Sequence, residues 1–246
     1  MSVVYHQQPI IDLKSRNIIA YELLLRDLAG LSIMEVNLRP ELFVQHMALL
    51  VEAKAKYIKT ILSRNPGSAI FLNFTPNQIA TESFCDAIMI FKDADIPLHQ
   101  IAIEVTEHSE VLRSGSVLRN LKTAKAEGLM VAIDDYGSGY SSPMSIIRAE
   151  PDIVKLDRAF LQEALIQSRE AGFHIGRRVL SRIIRFLKDL GVKVVVEGIE
   201  NQRQLEFVTE AGADLGQGFF LGKPSDITST KANVIKDSFW VGQQAV

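Results

Sequence analysis

Short apolar runs recur along this chain, with helix-like segments between most of them, and that alternation limits the possible folds more than any other feature. Eight runs stand out: SVVYHQQPII, NIIAYELLL, SAIFLNF, QIAIEVTE, LMVAIDD, DIVKLD, VKVVVEGI and GQGFFLG. Within them SAIFL, IAIEV, MVAI and VKVVV are almost continuously apolar, as strands covered on both faces of a parallel sheet are. An antiparallel sandwich would alternate instead. Between the runs, PELFVQHMALLVEAKAKYIKTILSR spaces its apolar residues for a helix and starts with a proline suited to a first helical turn. SEVLRSGSVLRNLKTAKAEG and IGRRVLSRIIRFLKDLG follow the same pattern, each closed by a glycine as helix C-termini prefer.

Eight strands mostly separated by helices fit an α/β fold, a (β/α)8 TIM-type barrel. Only DLKSRN separates the first two runs, which is too short for a parallel crossover, so this pair is expected to be antiparallel. No linker or low-complexity segment divides the chain, and residues 1–246 are expected to form a single domain. The stretch LQEALIQSREAGFHIG fits no single element. The tail after Pro224 is expected to form a last helix packed on the barrel, with Trp240 as its anchor.

Of the 246 residues 47% are hydrophobic, enough for a sizeable core, and the formal net charge of −2 argues against bulk nucleic-acid binding. The single cysteine, Cys85, excludes an internal disulfide framework and reads as a small core residue. No apolar run is long enough to span a bilayer and the start lacks the pattern of a signal peptide, so a soluble cytoplasmic chain is the expectation. The five histidines lack metal-ligand spacing and there is no Cys-x-x-Cys pair. His99 and His174 are expected in loops or at the surface, and the charges of KAKYIK on a solvated helix face. Any metal here would be a hard, oxygen-bound one.

The runs share a second property: nearly all end on or just after a polar residue. Aligned by direction, these are Glu22, Asn73, Glu104 and Glu107, Asp134 and Asp135, Lys155 and Asp157, and Glu197 and Glu200, while Gln217 opens the last run. In a barrel the strand ends converge on one face, where active sites lie. Adjacent strand residues face opposite ways, so Asp134 and Asp135 share a site only if the strand end turns both toward it. Taken alone, LMVAIDDYGSGYSS fits an ordinary strand and polar turn equally well. Taken with the other strand ends, it points to a cation site, since carboxylate and amide oxygens suit Mg2+ or Mn2+. Five ionised carboxylates (Glu22, Glu104, Asp134, Asp135, Glu197) carry −5, which two divalent ions and Lys155 would cancel. Two such ions, with Asp134 between them, form a device for phosphoester hydrolysis. Lys155 would then orient water or offset developing charge, and Glu197 would ligate the second ion and accept a proton.

These residues carry a resemblance. Glu22-Leu23-Leu24-Leu25-Arg26 resembles the Glu-Ala-Leu-x-Arg signature of the EAL-domain cyclic-di-GMP phosphodiesterases. YHQQPI, NFTPNQ, EVTE, DDYGSGYSS, VKLDRAF, VVEGIEN and GADLGQGFFLGKP are similar, in order, to that family's further motifs. The resemblance implies hydrolysis of cyclic-di-GMP to linear 5′-pGpG with two Mg2+ or Mn2+ ions. It implies Glu22, Asn73, Glu104 and Asp134 as ligands of one ion, and Asp134, Asp135 and Glu197 as ligands of the other. Lys155 matches the catalytic lysine and Glu107 the carboxylate that anchors the Asp-Asp loop. Gln217 matches a glutamine of the active-site wall, Arg26 a phosphate contact, and Gln8 and Phe219 guanine contacts, with Pro224 closing the last substrate-binding motif. It further implies a homodimer formed through the loop and helix after Asp135.

The sequence departs from the pattern at Leu23, Asp27, Thr75 and Pro143, none of them a proposed ligand. Asp27 adds negative charge near a phosphate site, and Pro143 could stiffen the glycine-bearing loop at Gly137 and Gly139. Two other readings stay open: a catalytically silent cyclic-di-GMP receptor or interaction module, and another metal-dependent barrel enzyme such as a lyase.

Overall fold

A computed structural model describes residues 2–106, 114–139, 142–165 and 175–227. Its strands are β1 Val3–Asp12, β2 Ile18–Leu28, β3 Leu31–Ser32, β4 Ala69–Asn73, β5 Ile101–Thr106, β6 Met130–Tyr136, β7 Ile153–Leu156, β8 Lys193–Val196, β9 Leu215–Gly216 and β10 Ser225–Asp226. Strands β2, β4, β5, β6, β7, β8 and β9 run parallel, each paired to the next. β1 closes the circle by pairing antiparallel with both β2 and β9. The expected (β/α)8 barrel with an antiparallel first pair is therefore the observed fold. The hairpin turn forms because Asp12 Oδ1 accepts from the backbone N–H of both Lys14 and Ser15, a side-chain-closed turn.

Long helices cover the barrel, among them Met47–Arg64, Ser83–Asp93, Gly115–Ala126 and Ile175–Asp189. The helix expected from Pro40 breaks at His46, whose φ of −103° and ψ of 21° end Glu41–Gln45 before Met47–Arg64 begins. Gly128 and Gly191 follow the helices they were expected to close, both at positive φ. Helices that went unread in the sequence include Ser83–Asp93 and Gln202–Glu210. The last strand of the barrel also differs: it is Leu215–Gly216, and most of GQGFFLG beyond it is turn. Cys85 is half-buried rather than part of the core. The tail after Ile227, with Trp240, and His174 lie outside the described residues.

Two layers inside the barrel determine where the chemistry sits. A floor takes one residue from each barrel strand: Ile10, Ala20, Phe71, Ala102, Ala132, Ile153, Val195 and Leu215, all buried. Side chains two apart on a strand share a face. Two residues beyond this floor on the parallel strands come Glu22, Asn73, Glu104, Asp134, Lys155, Glu197 and Gln217. On the antiparallel β1, Gln8 lies two residues before Ile10. The apolar layer keeps water out from below, and the polar layer faces the open end.

At the opposite end, two matching contacts hold the strand entries. Asp152, just before β7, accepts from Val131 N at 2.8 Å, and Asp214, just before β9, accepts from Val194 N at 3.0 Å. Each aspartate also pairs with a helix lysine, Lys125 and Lys188 respectively.

Candidate active site

Lys155 is the hub. Its Nζ lies 2.6 Å from Glu104 Oε1, 2.7 Å from Glu197 Oε1, 3.0 Å from Asp134 Oδ1 and 3.3 Å from Glu22 Oε2. With the lysine only 1% exposed, these ion pairs are shielded from bulk water and strong in consequence. Glu22 is tied down from two further sides: Asn73 Nδ2 donates to Oε1 at 2.9 Å, and Gln217 Nε2 donates to Oε2 at 2.8 Å.

A bulge brings the adjacent aspartates to one place. Between Ile133 and Tyr136, β6 carries one residue more than its partner β7, and Asp135 has a φ of 57°, in the left-handed region. Such a bulge breaks the alternation of faces. Oxygens of Asp134, Asp135 and Glu197 consequently lie within 4.8 Å of one another. Arg26 sits at a second bulge, where β2 steps from Leu25 to Asp27 against the consecutive residues Tyr5 and Val4.

The carboxylates outnumber the cation, and their protonation reflects this. Burial and then the nearby Glu22 push Glu104 well above the ordinary carboxylate range. Burial, opposed by Lys155 and reinforced by Asp134, raises Glu197 to about 8. Burial and the Asp134 charge raise Asp135 to about 6. Glu22 behaves oppositely: its burial is outweighed by Lys155, Gln217 and Asn73, which hold it below its usual value. For Lys155 burial favours the neutral amine, but the four carboxylates outweigh it and keep the ammonium charged.

The donor set fits divalent cations. All the candidate atoms are oxygens, the choice of hard ions such as Mg2+ and Mn2+. Glu104 Oε2 and Gln217 Oε1 are buried with no hydrogen-bond partner among the described residues, and buried polar atoms are rarely left so. With Nδ2 of Asn73 engaged by Glu22, its Oδ1 is the atom left to offer an ion.

Two cavities meet at Glu22. The larger, about 710 Å³, is lined by Arg26, Asn73, Glu104, Asp134 and Asp135, among others. The smaller, about 160 Å³, is lined by Gln8, Glu197, Gln217 and Phe219. Gln8 Nε2 donates to Gly222 O at 3.0 Å. Phe219 is 57% exposed at the rim, with Lys223 Nζ 5.7 Å from its ring centroid. Pro224 is half-buried and lines neither cavity. Glu107 lies outside the described residues.

Several polar strand ends have structural duties instead. Asp157 Oδ1 accepts from Ala159 N at 2.7 Å, at the start of helix Arg158–Leu165. Glu200 pairs with Arg158 at 2.8 Å, and both line the smaller cavity; Arg158 gave no signal in the sequence beyond its motif. Asp27 Oδ1 accepts from Gly30 N at 2.9 Å, closing the turn into β3, and does not line the larger cavity. Thr75 caps the helix Pro76–Ile79, accepting from Gln78 N while Gln78 bonds back to Thr75 N. Pro143 takes the first helical position of Pro143–Ala149, where its missing N–H costs nothing.

One lysine overturns a sequence expectation. Lys54, the first residue of KAKYIK, is 3% exposed rather than solvated. Burial brings its pKa down to about 7, with Glu104 opposing that shift. Its place four residues after Leu50 and four before Ile58, both buried on one helix face, was the signal that could have revealed it.

Fold and site together define a barrel protein with an oxygen-rich polar ring at its C-terminal strand ends. The family model described as EAL domain matches residues 2–224, and the chain belongs to the EAL domain family. Among its relatives is MucR of Pseudomonas aeruginosa, described as a bifunctional diguanylate cyclase/cyclic di-GMP phosphodiesterase. The two are 32% identical over 167 residues, 67% of this chain and 23% of MucR. The cyclic di-GMP phosphodiesterase RocR of the same organism is 29% identical over 153 residues, 62% of this chain and 38% of RocR. The chain thus spans well under half the length of both relatives. The solved structure of the MucR phosphodiesterase with cyclic-di-GMP aligns at a TM-score of 0.76 and 27% identity, covering 92% of this chain and 98% of that one. Klebsiella pneumoniae BlrP1, solved with manganese and cyclic-di-GMP, shares the fold at a TM-score of 0.77 and 23% identity, covering 92% of this chain and 57% of that one. Among the described residues no helix is long and apolar enough to cross a membrane.

Proposed function

We propose that this chain hydrolyses cyclic-di-GMP to linear 5′-pGpG with two divalent cations, Mg2+ or Mn2+, at the strand-end ring. The observation that carries this reading is the cluster of four carboxylates around one ammonium, with a fifth, Asp135, beside two of them and buried oxygens left unpartnered. The names of its relatives support the substrate, and the manganese in BlrP1 supports the class of ion.

Glu22, Asn73, Glu104 and Asp134 would hold one ion, and Asp134, Asp135 and Glu197 the other. Bound there, such ions would supply activation of water and stabilisation of the leaving oxygen of a phosphoester. Water adds across one P–O bond, leaving a 5′-phosphate and a 3′-hydroxyl. Lys155 supplies fixed positive charge where negative charge develops on phosphorus oxygens. A carboxylate oxygen of Glu197 takes the proton of the attacking water. Gln217 and Asn73 hold Glu22 in place. Arg26 binds a phosphate from the larger cavity, while Gln8 and Phe219 border the base on the smaller side. A second copy pairs through Pro143–Ala149, whose Met144 and Ile147 are 45% and 65% exposed.

The test is incubation of purified protein with cyclic-di-GMP and Mg2+ or Mn2+, with products separated by ion-exchange chromatography. Linear pGpG, lost with a chelator and in Glu22→Ala, is the expected result. Intact substrate overturns the hydrolase reading, and a binding titration then separates a silent receptor from a barrel without this ligand.

A further inference from the structure

Helix Met47–Arg64 turns a stripe of Leu50, Val51, Ala55, Ile58 and Ile61 toward the barrel, and Lys54 lies within that stripe. Packing alone calls for an apolar residue there, because a buried ammonium costs free energy unless its hydrogen bonds are satisfied. What Lys54 receives in return is specific. Its Nζ donates to Asn73 O at 2.6 Å and stands 3.5 Å from the centroid of the Phe74 ring. No carboxylate among the described residues lies within ion-pair distance of it. The ammonium thus grips the last residue of β4 through the main chain and braces the next residue through its ring.

That residue is Asn73, whose side chain donates to Glu22 at 2.9 Å. Asn73 occupies the end of its strand, where the ladder to β5 stops at the Asn73–Glu104 pairing. Beyond it the chain turns into the short helix Pro76–Ile79. The peptide after Asn73 keeps one bond to the neighbouring strand, from Phe74 N to Glu104 O at 3.3 Å; that bond is long, and rotation of this peptide would swing the Asn73 amide away from Glu22. Lys54 adds a second and shorter restraint on the same peptide, at its carbonyl, 2.6 Å away.

We propose that Lys54 is a positioning residue: by holding the Asn73 carbonyl it fixes the Asn73 side chain as part of the divalent-cation site. This inference rests on the cation-site reading above. Side chains that orient a ligand from behind typically affect metal affinity about 10- to 100-fold when removed. Where the Lys54 amine is protonated its charge acts the other way, since a positive charge disfavours cations nearby. The two contributions therefore have opposite signs and can be told apart.

The test is a double-mutant cycle of Lys54→Met and Asn73→Ala, read by calorimetric titration of Mn2+ in the absence of nucleotide. Lys54→Met is expected to weaken Mn2+ binding about tenfold in the otherwise unchanged protein. In the Asn73→Ala protein the same change is expected to leave binding unaltered or tighten it, because no side chain remains to be oriented. Equal weakening in both backgrounds, or unaltered or tighter binding in the first, overturns the proposal. Methionine suits the apolar stripe, so Lys54→Met is expected to keep or raise the thermal midpoint; a chain that fails to fold also overturns it. If the unchanged protein binds no Mn2+, the cation-site reading itself fails, a result distinct from bound Mn2+ that ignores Lys54.

Discussion

Lys155 Nζ and Glu104 Oε1 lie 2.6 Å apart, with side chains 1% and 0% exposed. Neither partner is dispensable in the same way. Removing the ammonium leaves several carboxylates facing one another, whereas removing Glu104 relieves a crowd of like charges. Lys155→Met is expected to lower unfolding free energy in chelator by about 3 kcal/mol, the scale for breaking a buried pair. Glu104→Gln is expected to leave it unchanged or raise it. Urea unfolding of the two variants checks this, and equal losses would contradict the charge balance described above.

Catalysis should be far more sensitive than folding. Glu22→Ala, Asp134→Asn and Lys155→Ala are each expected to cut cyclic-di-GMP turnover by orders of magnitude while the chain still folds. Steady-state rates with circular dichroism provide the check. Unaltered rates in all three, with a divalent ion still required, would sink the site assignment.

The raised carboxylates give the apo protein a definite pH dependence. Glu197 shifts from 4.5 to about 8 and Asp135 from 3.8 to about 6. A folded-state pKa above the unfolded one means that the native state binds more protons between the two values, so stability falls as pH rises through that window. In chelator the thermal midpoint is expected to fall from pH 5 to pH 8, with Glu197 carrying the upper part of the decline. Excess Mg2+ or Mn2+ is expected to flatten it, because the ion replaces the proton. A midpoint that rises over this range in chelator would contradict the assignment.

Asp135 separates stability from activity. It adopts a φ of 57°, which asparagine tolerates as well as aspartate does, and its charge opposes that of Asp134. Asp135→Asn is therefore expected to match or exceed the thermal midpoint of the unchanged chain in chelator and to lose most of its turnover. A destabilised but fully active variant would be the contrary result.

The departures at Asp27 and Pro143 serve local structure. Asp27 closes a turn through Gly30 N, and Pro143 begins a helix. Asp27→Trp and Pro143→Leu are expected to leave turnover per folded molecule unchanged, with Pro143→Leu losing about 0.4–1 kcal/mol through added freedom of the unfolded chain. A change in the Michaelis constant would instead place either residue at the substrate.

Much of this was legible in the sequence because β strands impose a period of two. The ring residues Glu22, Glu104, Asp134 and Lys155 end or nearly end apolar runs, so their convergence followed once the runs were read as parallel strands. What was not legible depends on irregular backbone or on long-range contact. Nothing in the local pattern tells that a bulge turns Asp134 and Asp135 to one side. The last barrel strand has only two residues, too few to show any period, and the aromatic run beyond it drew the assignment downstream. Lys54 was missed because lysine is usually solvated, and its partners Asn73 and Phe74 lie at and just beyond the end of a strand distant in sequence. Ser83–Asp93 lacks the glycine closure that marked the longer helices and ends on Asp95 at a φ of 55°, whereas Gln202–Glu210 carries that closure at Gly212, φ 89°, but is only nine residues long.

The most direct measurement is anomalous diffraction at the manganese edge from crystals grown with Mn2+. Two peaks inside the ring are expected, one beside Glu22, Asn73 and Glu104 and one beside Asp135 and Glu197, with Asp134 between them. No peak there, or peaks only at the protein surface, would contradict the cation site on which the proposed hydrolysis depends.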